Sequence, residues 1–365
     1  MPNKFSFKLL NYIMEKKKIG IITLPFEPNY GWILQLWALN HFLCANGYDT
    51  EVLDRRWNEE KAKYSKNLIR WIYYNICCRD FNKFFNTKLC VSDTFRSSSK
   101  LSNYVNSNKF EAVVFGSDQI WRIENVRDAN LDFFGEFIKN SSVKSIAYSA
   151  SFGTDNWKGT KEDTLFVSKL LQGFSSVSVR EDSGVEMCNR IFHINAKLTV
   201  DPTLLLKKSD YDILVNTKKG CYKIVTYILD ANHKKDLLIN KICEYLHSER
   251  SELYVKGKSK FHLYKPISTW ISSIKNAKFV VVDSFHGMVF SIIFHKQFLV
   301  ICNNNRGKTR FTSLLSLLHL ESRLVTENYI FNPDFFDSYI DYSNVEKTLT
   351  ELRFQSADYL LKSLS

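Results

Sequence analysis

The residues of this 365-residue chain best suited to acid–base and anion chemistry fall in six polar clusters, each following an apolar run directly or after a short loop. They are Asn29-Tyr30-Gly31, Gly116-Ser117-Asp118-Gln119, Ser149-Ala150-Ser151-Phe152-Gly153, Arg180-Glu181, Asp201-Pro202-Thr203 and Asp283-Ser284-Phe285-His286-Gly287. Histidine titrates near neutral pH, so His286 is the natural group to take or give a proton. It follows an apolar run and precedes a glycine at a helix start, which puts it in a cleft and not in a core. Arginine offers a planar fork to carboxylate and phosphate. Arg180, Arg306 and Arg310 therefore suit a small substrate carrying both groups. Asn29 and Gly31 stand at a helix N-terminus, where free amides and the helix dipole favour an anion.

Each cluster also has a structural reading. Asn29 and Asp118 are good helix caps, and Asp201 before Pro202 is a common turn starter. Arg180 and Glu181 would form a surface ion pair of little energetic value. Asp283 either orients His286 or is a structural carboxylate at the end of a strand. Asp118, Gln119, Ser149, Ser151 and Asp201 are the remaining candidates for an acceptor site or a cleft wall.

The elements that must hold these clusters are read from the apolar runs. IGIITL, a loop, the helical WILQLWALNHFLCANG and DTEVLD open the chain as a βαβ unit. Further strand-like runs are EAVVFG at 111–116, KSIAYSASFG at 144–153, SSVSVRE at 175–181 and KLTVDP at 197–202. A second unit of the same grammar starts near Gly220, with YKIVTYILD, ELYVKG, KFVVVDS and QFLVIC as strands between helical stretches. Continuous apolar strands alternating with helices imply parallel sheets covered on both faces. In such sheets ligands bind beyond the carboxyl ends of the strands, where all six clusters lie. The expected architecture is α/β, with two Rossmann-like doubly wound domains facing across a cleft. Its parts are an N-terminal extension (1–17), a first domain (18–205) with a helical insert at about 55–108, a second domain (206–325) and a tail with a helix (326–365).

Several function classes lose support. The chain lacks G-x-G-x-x-G, G-x-x-x-x-G-K-[ST] and G-x-S-x-G, so dinucleotide, P-loop and serine-hydrolase chemistry are not written in it. Its histidines and carboxylates show no metal-ligand spacing, and no metal site is expected. Glu244 and Glu252 share an E-x7-E spacing with glycosyltransferases but lie at the end of a surface helix, away from the cleft loops. The eight cysteines form no C-x-x-C pair and read as reduced thiols of a cytoplasmic protein. No apolar run is long enough to span a bilayer.

The formal net charge is +12. Lys61–Lys100 holds nine basic residues against Asp80 and Asp93, interleaved with aromatics such as Tyr64, Trp71, Phe81 and Phe85. A basic, aromatic helical stretch suits peripheral contact with an anionic membrane face; the simpler reading makes the aromatics core and the lysines a solvated face. No nucleic-acid-binding motif accompanies the charge, so no nucleic-acid partner is expected.

The motifs GSDQIW, SVREDSG, LTVDPTLLL, DSFHGMVFSIIFHKQFLVI and NNNRGKTRFTSLLSLL, in this order after IGIITL…NYGWILQLWALNHFLCANGYDTEVLD, resemble the polysaccharide pyruvyl transferase family from about residue 18 to 320. The resemblance implies a GT-B-like fold and transfer of the enolpyruvyl unit of phosphoenolpyruvate to two hydroxyls of a sugar, as a ketal. It matches Arg180 to an arginine that holds the donor and His286 to the catalytic histidine. Ser284 stands where part of the family has arginine, so Arg306 or Arg310 would supply that cation from the next loop. The implied partners are phosphoenolpyruvate as co-substrate, with no resident cofactor, and a saccharide acceptor on a lipid carrier at the inner face of the cell membrane, in surface or capsular polysaccharide assembly. A nucleotide-sugar glycosyltransferase on the same fold and a non-catalytic member of an assembly complex are the alternatives.

Overall fold

The structure is a computed structural model that describes residues 16–58, 73–129, 131–215, 223–254, 264–302 and 307–365. The first domain is a six-stranded, all-parallel sheet in the order β2-β1-β3-β4-β5-β6. Its strands are β1 (Lys18–Ile22), β2 (Asp49–Val52), β3 (Phe110–Phe115), β4 (Lys144–Ala150), β5 (Ser176–Val179) and β6 (Lys197–Leu198). Helix α1 (Tyr30–Ala45) follows β1, α2 (Arg79–Lys88) and α3 (Ser98–Ser107) lead into β3, and α4 (Lys161–Gln172) and α5 (Asp182–Arg190) follow β4 and β5. The second sheet, order β11-β10-β9-β7-β8, is also parallel throughout. It contains β7 (Ile224–Tyr227), β8 (Arg250–Glu252), β9 (Phe279–Val282), β10 (Phe298–Cys302) and β11 (Leu324–Thr326). Its helices are α6 (His233–Tyr245), α7 (Ile267–Lys275), α8 (Phe285–Ile293) and α9 (Thr309–Leu317).

The central strands are buried along nearly their whole length, as sheets covered on both faces require. One apolar cluster runs continuously from α1 and the inner face of the first sheet into α7, α8 and the second sheet, so the two domains share a core. Tyr30, at the start of α1, joins them: its ring stacks on Trp270 at 5.1 Å and its hydroxyl donates to the Lys265 carbonyl at 2.7 Å. This helix is buried on almost every side because it lies between the first sheet and the second domain.

The tail differs from a simple appendage. Helix α10 (Tyr342–Leu364) crosses back to the first domain, where Ser356 Oγ accepts from the Val200 amide and Arg353 Nε donates to the Leu204 carbonyl. The short β11 carries no long apolar run and was not among the expected strands; it pairs in parallel with β10. In the helical insert Phe81, Phe85 and Phe95 are buried, the core reading of those aromatics. Lys61, Lys63, Lys66, Arg70, Tyr64 and Trp71 lie outside the described residues. No described helix is long and apolar enough to cross a membrane.

Candidate active site

The carboxyl ends of the two sheets face a common cleft, lined by Asn29, Gly31, Asp118, Gln119, Asp283, Ser284, His286 and Arg310 together with Trp32, Tyr227, Leu229, Phe285 and Phe311. Both domains contribute. Asn29 caps α1, its side chain accepting from the Gly31 and Trp32 amides, and Ser284 caps α8 by accepting from Gly287. Both predicted donor-site residues therefore act as caps at the cleft rim, and Ser284 leaves the first turn of α8 without a cation of its own.

His286 follows that cap and reaches across to the first domain. A methyl group at Gly31 would overlap His286 Nδ1 and come within 2.6 Å of Cγ, so the ring fills the space that only glycine leaves at the start of α1. The other ring nitrogen, Nε2, is buried and lies 3.4 Å from Asp201 Oδ2. Asp201 is fully buried, so its oxygens can be accounted for one by one. Oδ1 accepts from the Thr203 amide and hydroxyl; Oδ2 accepts from Arg180 Nη1 at 2.7 Å and from Ser117 Oγ at 3.0 Å. Burial alone would raise this carboxyl, but His286, Arg180 and Thr203 outweigh it and hold it well below the usual carboxylate range. Asp201 is thus both the turn starter read from Asp-Pro and the partner of the histidine.

Asp283 is not that partner. Its carboxylate accepts from Lys235 Nζ at 2.7 Å and from the Leu229 and Asp230 amides, which ties the ends of β9 and β7 together inside the second domain. Lys235 was not foreseen, because a lysine in the first turn of a polar helix carries no sequence mark of a buried role.

Arg180 and Glu181 are buried rather than a surface pair, with Arg180 Nε 3.8 Å from Glu181 Oε2 and Arg180 Nη2 3.7 Å from Asp118 Oδ1. Three carboxylates thus surround Arg180 one layer behind the cleft wall, and its Nε and Nη2 make no hydrogen bond among the described residues. Burial raises the Glu181 carboxyl despite Arg180 and Arg310. Phe285 sits between the two arginines, its ring centre 4.9 Å from the Arg180 guanidinium carbon and 6.0 Å from that of Arg310. Arg310 enters this cluster from α9, and burial, with repulsion from Arg180, pushes its guanidinium down to about 10. On the same helix Ser313 Oγ accepts from the Asp182 amide of the first domain. Arg306 lies outside the described residues.

Ser149 and Ser151 are both fully buried inside the first domain and do not line the cleft. Ser149 has a left-handed backbone (φ 52°) at a register shift between Ala147 and Ala150, and Asp118 has φ 93°. This irregularity brings the loops after β3 and β4 together, with the Ser151 amide bonded to the Asp118 carbonyl at 3.0 Å. Among the described residues no group of three or more His, Cys, Asp or Glu side chains is placed to hold a metal ion.

The fold has solved counterparts. Arabidopsis thaliana UGT89C1 complexed with UDP is similar over 96% of this chain and 100% of its own at 10% identity, with a TM-score of 0.53. A Rickettsia africae glycosyltransferase matches over 94% of each chain at 10% identity and a TM-score of 0.51. Methanocaldococcus jannaschii UDP-GlcNAc 2-epimerase, in complex with UDP-GlcNAc and UDP, matches over 94% of this chain and 98% of its own at 12% identity and a TM-score of 0.50. These likenesses establish the GT-B-like fold and leave the chemistry open. No curated protein sequence matches this one. The family model for polysaccharide pyruvyl transferase matches residues 29–305, a stretch that starts at the α1 cap and contains Arg180, Asp201 and His286, and the chain belongs to that family of transferases.

Proposed function

We propose that the protein transfers the enolpyruvyl group of phosphoenolpyruvate onto two hydroxyls of a sugar. The observation that carries this reading is the meeting, across one interdomain cleft, of His286 with a buried carboxylate and two arginines. A small donor that carries both carboxylate and phosphate needs cations, and its enol carbon needs an acid. Arg310 on the cleft wall, with Arg180 behind Asp118, would neutralise carboxylate and phosphate. The N-terminus of α1, capped by Asn29, adds the positive end of its helix dipole at the same place.

The proton count follows from the bonds. Imidazolium at His286 gives a proton to the terminal carbon of the enol, and the adjacent carbon becomes cationic. A sugar hydroxyl attacks that carbon and returns its proton to the imidazole. A second hydroxyl of the same sugar then displaces phosphate, and its proton leaves with the phosphate. The ring ends as it began, and the product is a ketal bearing methyl and carboxylate groups.

The capsular or surface-polysaccharide context, the lipid-linked acceptor and contact with an anionic membrane face extend this reading. Their support is the family and the excess of basic residues before Lys100. Thermal-shift titration of the purified protein tests the donor, because a ligand that binds only the native state raises the melting midpoint. Phosphoenolpyruvate should raise it, and Arg310→Gln should abolish the rise. A rise with nucleotide sugars alone would replace this reading by glycosyl transfer.

A further inference from the structure

The two ring nitrogens of His286 meet different surroundings. Nε2 is buried and points at Asp201 Oδ2, 3.4 Å away. Nδ1 lies against Gly31, and both residues line the cleft. We propose that Asp201 is a positioning residue that holds a proton on His286 Nε2, so that Nδ1, beside Gly31, is the atom that exchanges protons with the substrate.

Three features support the assignment. A carboxylate accepts and cannot donate, so a neutral imidazole facing it must present N–H on that side. Asp201 is unable to turn away, because Arg180 and Ser117 on Oδ2 and the Thr203 amide and hydroxyl on Oδ1 hold the carboxylate in place. The ring cannot flip freely either, since Gly31 and Phe285 flank it, the latter at 5.3 Å between ring centres. Hydrogen bonds at such sites commonly tighten only when substrate is bound, which accommodates the long Nε2 contact.

The arrangement has a second consequence. Asp201, as an anion, favours the imidazolium that forms when Nδ1 takes the hydroxyl proton. The other charges reach the ring through Asp201 and Phe285: Arg180, with Asp118 and Glu181 beside it, from the first domain and Arg310 from the second. Asp283, although only three residues away in sequence, is engaged by Lys235.

The tautomer itself can be read by two-bond proton–nitrogen NMR of the full-length protein with 15N-labelled histidine, the His286 signals being assigned by their loss in His286→Gln. The pattern expected for neutral His286 is protonation at Nε2 alone; protonation at Nδ1, or fast exchange between the two forms, overturns the proposal. This measurement needs no variant at Asp201 and no donor. In Asp201→Asn the amide can donate to Nε2, which should move the proton to Nδ1 and lower kcat at least about a hundredfold. Loss of the negative charge should also move the limb of the kcat/KM pH profile that belongs to the imidazole to lower pH. A variant that melts earlier but keeps the wild-type tautomer and profile would leave Asp201 purely structural and sink the idea. The kinetic arm rests on the pyruvyl-transfer reading, whereas the NMR arm does not. Failure of phosphoenolpyruvate to bind and failure of the tautomer assignment are therefore separate results.

Discussion

Asp201 and Asp283 hold similar places in the two domains. Each is fully buried just beyond the carboxyl end of a parallel strand, and each lies 2.7 Å from a basic side chain. Their remaining bonds separate them. Asp283 gives its other acceptor positions to two amides of its own domain, which closes the β7 and β9 exits into one rigid edge. Asp201 gathers groups from three parts of the chain, Ser117, Arg180 and Thr203, and faces the histidine of the opposite domain. The same residue type at the same kind of strand exit is a strut in one domain and part of the cluster around His286 in the other. What distinguishes them is the partner that the second domain brings.

Substitutions can break or sharpen this contrast. The largest effect should be on the cleft side: His286→Ala is expected to lower turnover by roughly 10^2- to 10^4-fold, the range of a lost acid–base group, with little change in melting midpoint. Phosphate release from phosphoenolpyruvate in the presence of acceptor reports it, and near-normal turnover would remove the histidine from the chemistry. On the strut side, Asp283→Ala leaves Lys235 buried without a counter-charge and should cost about 3–5 kcal/mol in urea unfolding. A cost under about 1 kcal/mol there would mean that the ion pair does not brace the second sheet, and that the two aspartates differ less than their bonds suggest. The smallest change in composition tests the seam between the domains. Gly31→Ala pushes a methyl into the His286 ring and should lower kcat by about a hundredfold, as misplacement of a reacting group by about 1 Å does. Its stability loss should stay within the 1–3 kcal/mol typical of overpacking. Unchanged kcat would show that the ring is free to sit elsewhere.

Much of the frame was legible beforehand. β1, β3, β4, β9 and β10 are built on apolar runs, and a strand buried on both faces leaves that mark whatever surrounds it. β11 is three residues, Leu324–Thr326, only partly buried, and its existence depends on the edge that β10 offers. Helix α10 was legible as a helix, but its seat on the first domain depends on bonds such as Ser356 to Val200 that join distant parts of the chain. Ser149 and Ser151 lie in a cluster that looks like a loop after a strand. The register shift at Ala147–Ala150 turns them inward, and no residue type announces that.

The division at the site has the same origin. Residue type and position after a strand determined that Asn29, Asp118, Arg180, Asp201, Asp283, His286 and Arg310 would gather at the sheet ends, because a parallel sheet turns every strand exit to one edge. The motifs around them determined the family. Only the tertiary structure decided that Asp201 and not Asp283 faces the histidine, that Arg180 lies behind the wall and Arg310 on it, and that Gly31 makes room for the ring. Those assignments depend on contacts between residues about 20 to 255 positions apart: some form when each sheet assembles, and those of His286 only when the two domains meet.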